Sequence, residues 1–459
     1  MPSWANNILA IGLLLLVIVV VVRRLPKVEI EHTPALLGRR RLNWLVVGLT
    51  YAFLYMGRYN LTVASKAGVL PTADFSKVFA VGTVVYGVSF LLNGPLTDRF
   101  GGRATIIVSA FGSAAANVGI GVVLGMGLSP GSLLTALTLL YATNMYFQSF
   151  GAASIVKVNA AWFHVRERGT FGGIFGILIS LGVYFAFDWN SALVKVLPPA
   201  WIFFVPAIIL VAFGVADTLI VRDSPAGAGL EDFDTGDASS GDNGPRLSSI
   251  EVGKRMLRNP IILTITFIEF CSGYLRNALM QYYPIFAART GAGTTFVTQN
   301  WGLMLCVAGI LGGVFAGTIS DHLFQSRRGP VSAVLYGFMF VGSLLMVPLL
   351  GSSMLGWLVV FMSMSIIGVH GMLSGTASAD FGGKKNAGVA VGIIDGFVYL
   401  GTGLQAVLLG KVLPQDKVSE KILANWSNWP LVLILPALIG FVLALRIWKA
   451  KPQGRAASH

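Results

Sequence analysis

Unbroken apolar runs constrain this chain more than any other feature. Residues 104–126, 331–351 and 428–447 each continue for about 20 residues with almost no charge, the length an α-helix needs to cross a ~30 Å hydrocarbon core. A soluble domain alternates apolar with polar residues to dress its surface, and these stretches do not. Composition decides the same point: 12% of the residues are charged, against roughly 25% in an ordinary soluble domain. The chain reads as an all-α polytopic membrane protein.

Helices are predicted near 5–22, 43–65, 76–97, 104–126, 132–163, 170–188, 200–221, 259–287, 296–320, 331–351, 354–377, 387–411 and 428–448. The net charge of +13 does not point to nucleic acid, because the basic residues lie in short connectors rather than on one face. Arg23, Arg24, Lys27 and Arg39–Arg41 follow the first helix, and Arg99/Arg103, Arg166/Arg168, Arg327/Arg328, Lys384/Lys385 and the tail Arg446–Arg455 fall in every second connector. Positive loops stay inside, so the N-terminus is expected outside the cytoplasm and the C-terminus within it. Helix 5–22 has no Lys or Arg before it and no small-residue cleavage site after it, so it reads as an extra span rather than a signal peptide. The predicted layout is residues 1–42 for that span and a basic linker, 43–222 for a six-helix bundle, and 223–258 for a flexible polar loop. A second bundle follows at 259–448 and a tail at 449–459.

The bundles repeat. Gly94-Pro-Leu-Thr-Asp98 returns as Gly317-Thr-Ile-Ser-Asp321, 223 residues on (98 to 321). The Arg58-Tyr-Asn60 segment returns at Arg276-Asn277, 218 residues on (58 to 276). Two motifs at nearly one offset indicate tandem units related by an axis along the membrane normal.

Arg58 and Arg276 lie deep in apolar helices, where a guanidinium is expensive and cannot shed its proton. Pseudo-symmetry sets them facing each other across the central pathway, as two forks that clamp a dianion such as phosphate. The alternative is a structural arginine paired with Glu269, Asp395 or helix carbonyls, or reaching to the outer surface. Tyr51, Tyr55, Tyr86 and Tyr399 either donate hydroxyls to a solute or form an interfacial belt. Gln148 either bonds the solute or ties helices together, the second reading being preferred. Lys157, Asp188 and Asp217 are expected to reach to the interface from helix ends. His164 and His370 are expected to be core or interface residues. Glu269 and Asp395 are candidates for proton coupling or for contact with a positive or hydroxyl-bearing part of the solute, or else they balance the arginines. Cys271 and Cys306 sit in apolar segments without disulfide or zinc spacing. No nucleophile–base pair, phosphate-binding Gly loop or metal cluster appears, so neither an enzyme nor a cofactor is expected.

The segment Gly94-Pro-Leu96-Thr-Asp98-Arg99-Phe-Gly101-Gly-Arg103 resembles the loop between helices 2 and 3 of the major facilitator superfamily. With Asp321, Arg327 and Arg328 as its echo, it implies a gate at the cytoplasmic face held by a charge contact between Asp and Arg. Over residues 43–448 the chain is similar to the organophosphate:phosphate antiporter family of that superfamily, the glycerol-3-phosphate and hexose-phosphate transporters. The similarity rests on Tyr51, Tyr55, Arg58-Tyr-Asn60, Tyr86, Phe147-Gln148, Arg166-Glu-Arg168-Gly and Arg222-Asp-Ser-Pro225. It continues through Arg276, Ser320-Asp321, Arg327-Arg-Gly329, Lys384-Lys385-Asn-Ala-Gly388 and Tyr399-Leu-Gly401.

The resemblance implies a major-facilitator fold with one added N-terminal helix, in a bacterial inner (plasma) membrane, as a monomer. It further implies phosphoryl binding by the two arginines, inorganic phosphate as counter-substrate and alternating access by rocking of the halves. The pocket departs from that pattern: Phe90 replaces a lysine, Ile179 a histidine, Gly273 a tyrosine and Cys306 a glutamate. Glu269 and Asp395 stand where the glycerol-phosphate members are neutral. Three readings follow: exchange of a phosphorylated organic anion for phosphate, proton-coupled carriage of another organic anion, or sensing of a sugar phosphate without transport.

Overall fold

The computed structural model describes residues 32–164, 167–235, 248–292, 295–324 and 328–449. The predicted helix 5–22, Arg166, Arg327 and the tail beyond residue 449 lie outside the described residues. The fold is all-helical. The first half comprises α1 (Pro34–Lys66), α2 (Thr72–Phe100), α3 (Gly102–Gly125), α4 (Pro130–Gln148), α5 (Phe150–Trp162), α6 (Arg168–Tyr184), α7 (Asn190–Val196) and α8 (Trp201–Ile220). A π-turn, Phe185–Trp189, joins α6 to α7, and Ser149 alone separates α4 from α5. The Ser149 hydroxyl donates to the Tyr146 carbonyl at 2.7 Å and accepts from Asn93 Nδ2 at 2.7 Å, a side-chain bond that competes with the helix ladder.

α9 (Ser249–Arg258) leads to the second half: α10 (Pro260–Met280), α11 (Tyr282–Thr290), α12 (Phe296–Gln299), α13 (Trp301–Phe324), α14 (Arg328–Leu349), α15 (Leu355–His370), α16 (Thr376–Val412) and α17 (Asn428–Arg446). A second π-turn, Gly371–Gly375, follows α15. Among the described residues, eight helices are long and apolar enough to cross a membrane. The others are interrupted, as at Ser149, or carry polar residues such as Arg58, Glu269 and Arg276. Leu92, Ile208, Leu219 and Leu435 stand exposed on outer faces, the apolar surface that a bilayer covers.

Several elements differ from expectation. α1 starts at Pro34, so Arg39–Arg41 are helical rather than part of a linker. Thr33 caps it, its hydroxyl accepting from Leu36 N at 3.3 Å, and Pro34 fits a first turn, where its missing N–H has no partner to lose. The loop 223–258 contains α9, capped by Ser248 Oγ accepting from Glu251 N at 3.2 Å, with Val252 and Met256 buried. Asp217 does not reach the interface: it is fully buried and accepts a hydrogen bond from Thr50 at 2.8 Å. Asp188 caps α13 instead, accepting from Gly302 N at 2.8 Å and Leu303 N at 2.9 Å, where the helix dipole favours a carboxylate.

The halves meet along α2 and the apolar span of α16, Gly388–Val412. A Cβ at Gly94 would run into the Gly388 carbonyl, one at Gly388 into that of Gly94, and one at Gly392 into that of Phe90. Gly388, Gly392 and Gly396 recur every fourth residue, so one face of α16 is bare backbone, the small-residue pattern that lets membrane helices approach closely. At one end of this seam Asp98 bridges the halves, accepting from Val389 N at 3.2 Å and pairing with Lys157 at 2.7 Å. Lys157 thus faces this contact with Asp98 rather than the interface. At the opposite end Thr62 donates to Gln281 at 2.6 Å, and Arg289 donates to the Ser65 carbonyl at 2.8 Å. Glu420 there accepts from Thr72 N at 2.6 Å and lies 2.9 Å from Arg289.

Candidate functional site

Arg58 is fully buried and lies at the meeting of both halves. Its Nε donates to Gln148 Oε1 at 2.7 Å, and its Nη1 donates to the Tyr399 hydroxyl of the second half at 2.9 Å. The guanidinium carbon lies 4.5 Å from the ring centroids of both Tyr55 and Tyr86, a cation–π sandwich for a planar cation. Nη2 is buried without a hydrogen-bond partner. Arg58 thus holds one strong donor in reserve.

The backbone beneath it is fixed by a polar network. Tyr141 donates to the Arg58 carbonyl at 3.1 Å, and Asn144 Nδ2 to the Gly57 carbonyl at 2.9 Å. Asn60 donates to Asn117 Oδ1 at 2.7 Å, while Gln148 Nε2 donates to Ser113 Oγ at 3.0 Å. These residues come from α1, α3 and α4, whose inward faces are polar in an apolar bundle because most of the groups there find a partner, Asn60 Oδ1 being an exception. Gln148 therefore both ties helices together and orients the arginine.

Arg276, on α10, is 7% exposed, and its Nε is buried without a partner. It lies within electrostatic reach of Tyr399, Tyr59, Tyr55 and Glu269, so the same tyrosines connect the two cations. Among the described residues, neither arginine makes an ion pair with a carboxylate. Tyr51 packs edge-on against Tyr55, with centroids 5.4 Å apart. The structure thus gathers Arg58, Arg276, Tyr51, Tyr55, Tyr86, Tyr399 and Gln148 in one place. Tyr59, not singled out in the sequence, belongs with them.

Phe90 stacks on Tyr399 at 5.9 Å and packs edge-on against Tyr86 at 4.8 Å, so an aromatic wall closes this side of the cluster. At Gly273 any side chain would collide with the Val398 carbonyl, because α10 and α16 touch backbone to backbone.

Glu269 is fully buried, and its Oε2 lies 2.6 Å from His370 Nδ1. Asp395 accepts from the Ser374 hydroxyl at 2.6 Å. His370 is thus more than a core residue: it partners a buried carboxylate, a contact between residues 101 apart in the chain and invisible to local pattern.

The residues of the expected gate sit apart from this cluster. Asp98 bridges the halves as above, with Gly94 against Gly388. Arg99 is exposed over the Phe100 ring, 5.4 Å from its centroid. Arg103 donates through its backbone N to Asp223 at 2.8 Å and through Nη2 to the Thr218 carbonyl at 2.6 Å. Gly101 turns the chain between α2 and α3 at φ 89°, a conformation that favours glycine. Asp321 lies in α13.

The chain is 26% identical over 435 residues to the membrane sensor protein UhpC of Salmonella typhimurium, spanning 90% of this chain and 92% of that one. It is 26% identical over 438 residues to the glycerol-3-phosphate transporter of Bacillus subtilis, spanning 89% and 91%. In fold it is similar to a bacterial homologue of the human lysosomal transporter Spinster, crystallised inward-facing. The TM-score is 0.65 at 12% identity, over 93% of this chain and 100% of the other. The family model described as Major Facilitator Superfamily matches residues 47–406. With that match across most of its length, this chain belongs to the Major Facilitator Superfamily.

Proposed function

We propose that this protein carries a small phosphorylated organic anion across a bacterial plasma membrane, in exchange for inorganic phosphate. Arg58 and Arg276 hold the phosphoryl group, Tyr51, Tyr55, Tyr86 and Tyr399 line its site, and rocking of the halves exposes that site to each side in turn. The observation that carries this reading is two buried guanidinium groups, one from each half, each keeping an unpartnered N–H. Such donors are costly unless an acceptor arrives, and a tetrahedral dianion supplies several. The names of the relatives support phosphate esters as the solute class. In this reading the Asp98 end faces the cytoplasm, by the distribution of basic connectors, and its contact with Lys157 and Val389 N closes that gate.

A sensor that binds without net flux is the second reading, supported by the printed name of the Salmonella relative. Proteoliposomes loaded with phosphate decide between them. Exchange is expected as uptake of a labelled phosphoester that requires internal phosphate. Saturable binding without uptake would replace the carrier by the sensor. Uptake driven by a pH gradient with no need for internal phosphate would replace exchange by proton coupling.

A further inference from the structure

Arg58 and Arg276 bring two positive charges to the centre of the molecule, and Glu269 and Asp395 bring two negative ones when ionised. A clamp built for a phosphoryl dianion alone gains nothing from two carboxylates, which oppose the anion at short range. These carboxylates are not spent on the arginines, since among the described residues no lysine or arginine lies within ion-pair distance of either. Glu269 precedes Arg276 by seven residues on α10, two turns, so both project from one face. His370 closes this corner from α15, bonded to Glu269 Oε2 at 2.6 Å, and both His370 and Arg276 act electrostatically on Asp395 from nearby.

Unmet donors and acceptors therefore coexist in one small volume. Arg276 Nε is buried without a hydrogen-bond partner, and Glu269 Oε1 is buried with only the neighbouring Ser272 hydroxyl, one turn on, in loose contact. The one hydrogen bond to Asp395 among the described residues comes from Ser374, at 2.6 Å. Phosphate satisfies the donors but brings further negative charge to the carboxylates, and a proton satisfies only one oxygen. A solute with a phosphoryl group at one end and an ammonium group at the other satisfies both, because an ammonium has three donors and no acceptor.

We propose that Glu269 and Asp395, with His370 and Ser374 positioning them, form an ammonium subsite beside the arginine clamp, so that the solute is a zwitterionic amino-phosphoester or aminoalkyl phosphonate. This rests on the phosphoryl reading of the clamp. The subsite explains why a clamp of this type tolerates acids at its centre: the solute carries the balancing charge in with it.

The test is calorimetric titration of the purified full-length protein at neutral pH with aminoethyl phosphate, ethyl phosphate and inorganic phosphate. Aminoethyl phosphate is expected to bind at least tenfold more tightly than ethyl phosphate, which has nearly its shape but no cation. In the Glu269→Gln and Asp395→Asn double variant that ratio is expected to fall to about one. Equal binding of the two esters by the unaltered protein overturns the ammonium subsite and leaves the phosphoryl clamp standing; this comparison does not depend on whether the variant folds. A ratio that survives in a folded double variant also overturns it. A protein that binds none of the three ligands overturns the phosphoryl reading and this proposal with it.

Discussion

At the scale of single residues, Arg58 shows what planarity contributes. Its guanidinium is bonded in-plane to Gln148 and Tyr399 and covered on its faces by Tyr55 and Tyr86. A lysine keeps the charge but loses the fork and the stacking surface. Arg58→Lys and Arg276→Lys are each expected to weaken phosphate binding tenfold or more, a change of about 1.4 kcal/mol, as read by titration of folded protein. Normal binding by both variants would make these arginines structural. Both arginines were legible in the sequence because a guanidinium in an apolar run stands out against its neighbours. Their setting was not. Lys157 and Asp98 are 59 residues apart, and His370 and Glu269 lie on helices that only tertiary packing brings together. Asp188 and Asp217 read as interfacial from their place near helix ends, whereas one caps a helix of the other half and the other is sealed inside its own.

At the scale of elements, the α2–α16 seam and the connector after α5 lead to separate predictions. Gly388→Val places branched carbon where the Gly94 carbonyl now lies, so the helices must part at the Asp98 end. Solute exchange is expected to fall at least tenfold. Thiol labelling of Ile394→Cys, a position now fully buried, is expected to rise in a background without Cys271 and Cys306. Unchanged labelling would show that the seam can shift without opening.

In the connector, burial pushes the Glu167 carboxyl up. The His164 amide, Arg40 and His32 outweigh this and hold it below the ordinary glutamate range. The depressed value means a stabilising contribution that is complete above the ordinary glutamate value of about 4.3 and is lost as pH falls through the shifted one. Glu167→Gln is accordingly expected to lower the melting temperature at pH 7. The gap to the unaltered protein should close as the medium is acidified below pH 4, and a gap independent of pH would rule out the charge as its cause. The repeat Gly388-x-x-x-Gly392-x-x-x-Gly396 was present in the sequence, yet nothing in it names α2 as the partner. The order of helices beyond residue 32 was legible because hydrophobic length is a local property, whereas the breaks at Ser149 and Gln281 were not. Which faces touch is decided by complementarity between distant segments.

At the scale of the whole molecule, the two halves are joined at both ends and in the middle. Asp98 bridges to Val389 at one end, Arg289 to Ser65 at the other, and Tyr399 reaches Arg58 between them. The central bond differs from the end contacts because one of its members is, in the proposed function, also a solute donor. Tyr399→Phe removes the hydroxyl and leaves Arg58 Nη1 without its acceptor. Phosphate is then expected to bind more tightly by about 1 kcal/mol, the net worth of a typical hydrogen bond, roughly fivefold, while exchange slows. Weaker binding in this variant would instead mark the hydroxyl as a direct ligand of the anion. The wider consequence is kinetic. If the proposed clamp is right, Tyr399 is an internal competitor carried by the opposite half, and capture of a phosphoryl group exchanges one acceptor of Arg58 Nη1 for another. In that reading Nη2 makes the first contact and Nη1 is released from Tyr399 as the anion settles, which flattens the energy profile, and a carrier turns over fastest when neither loading nor release is a deep well.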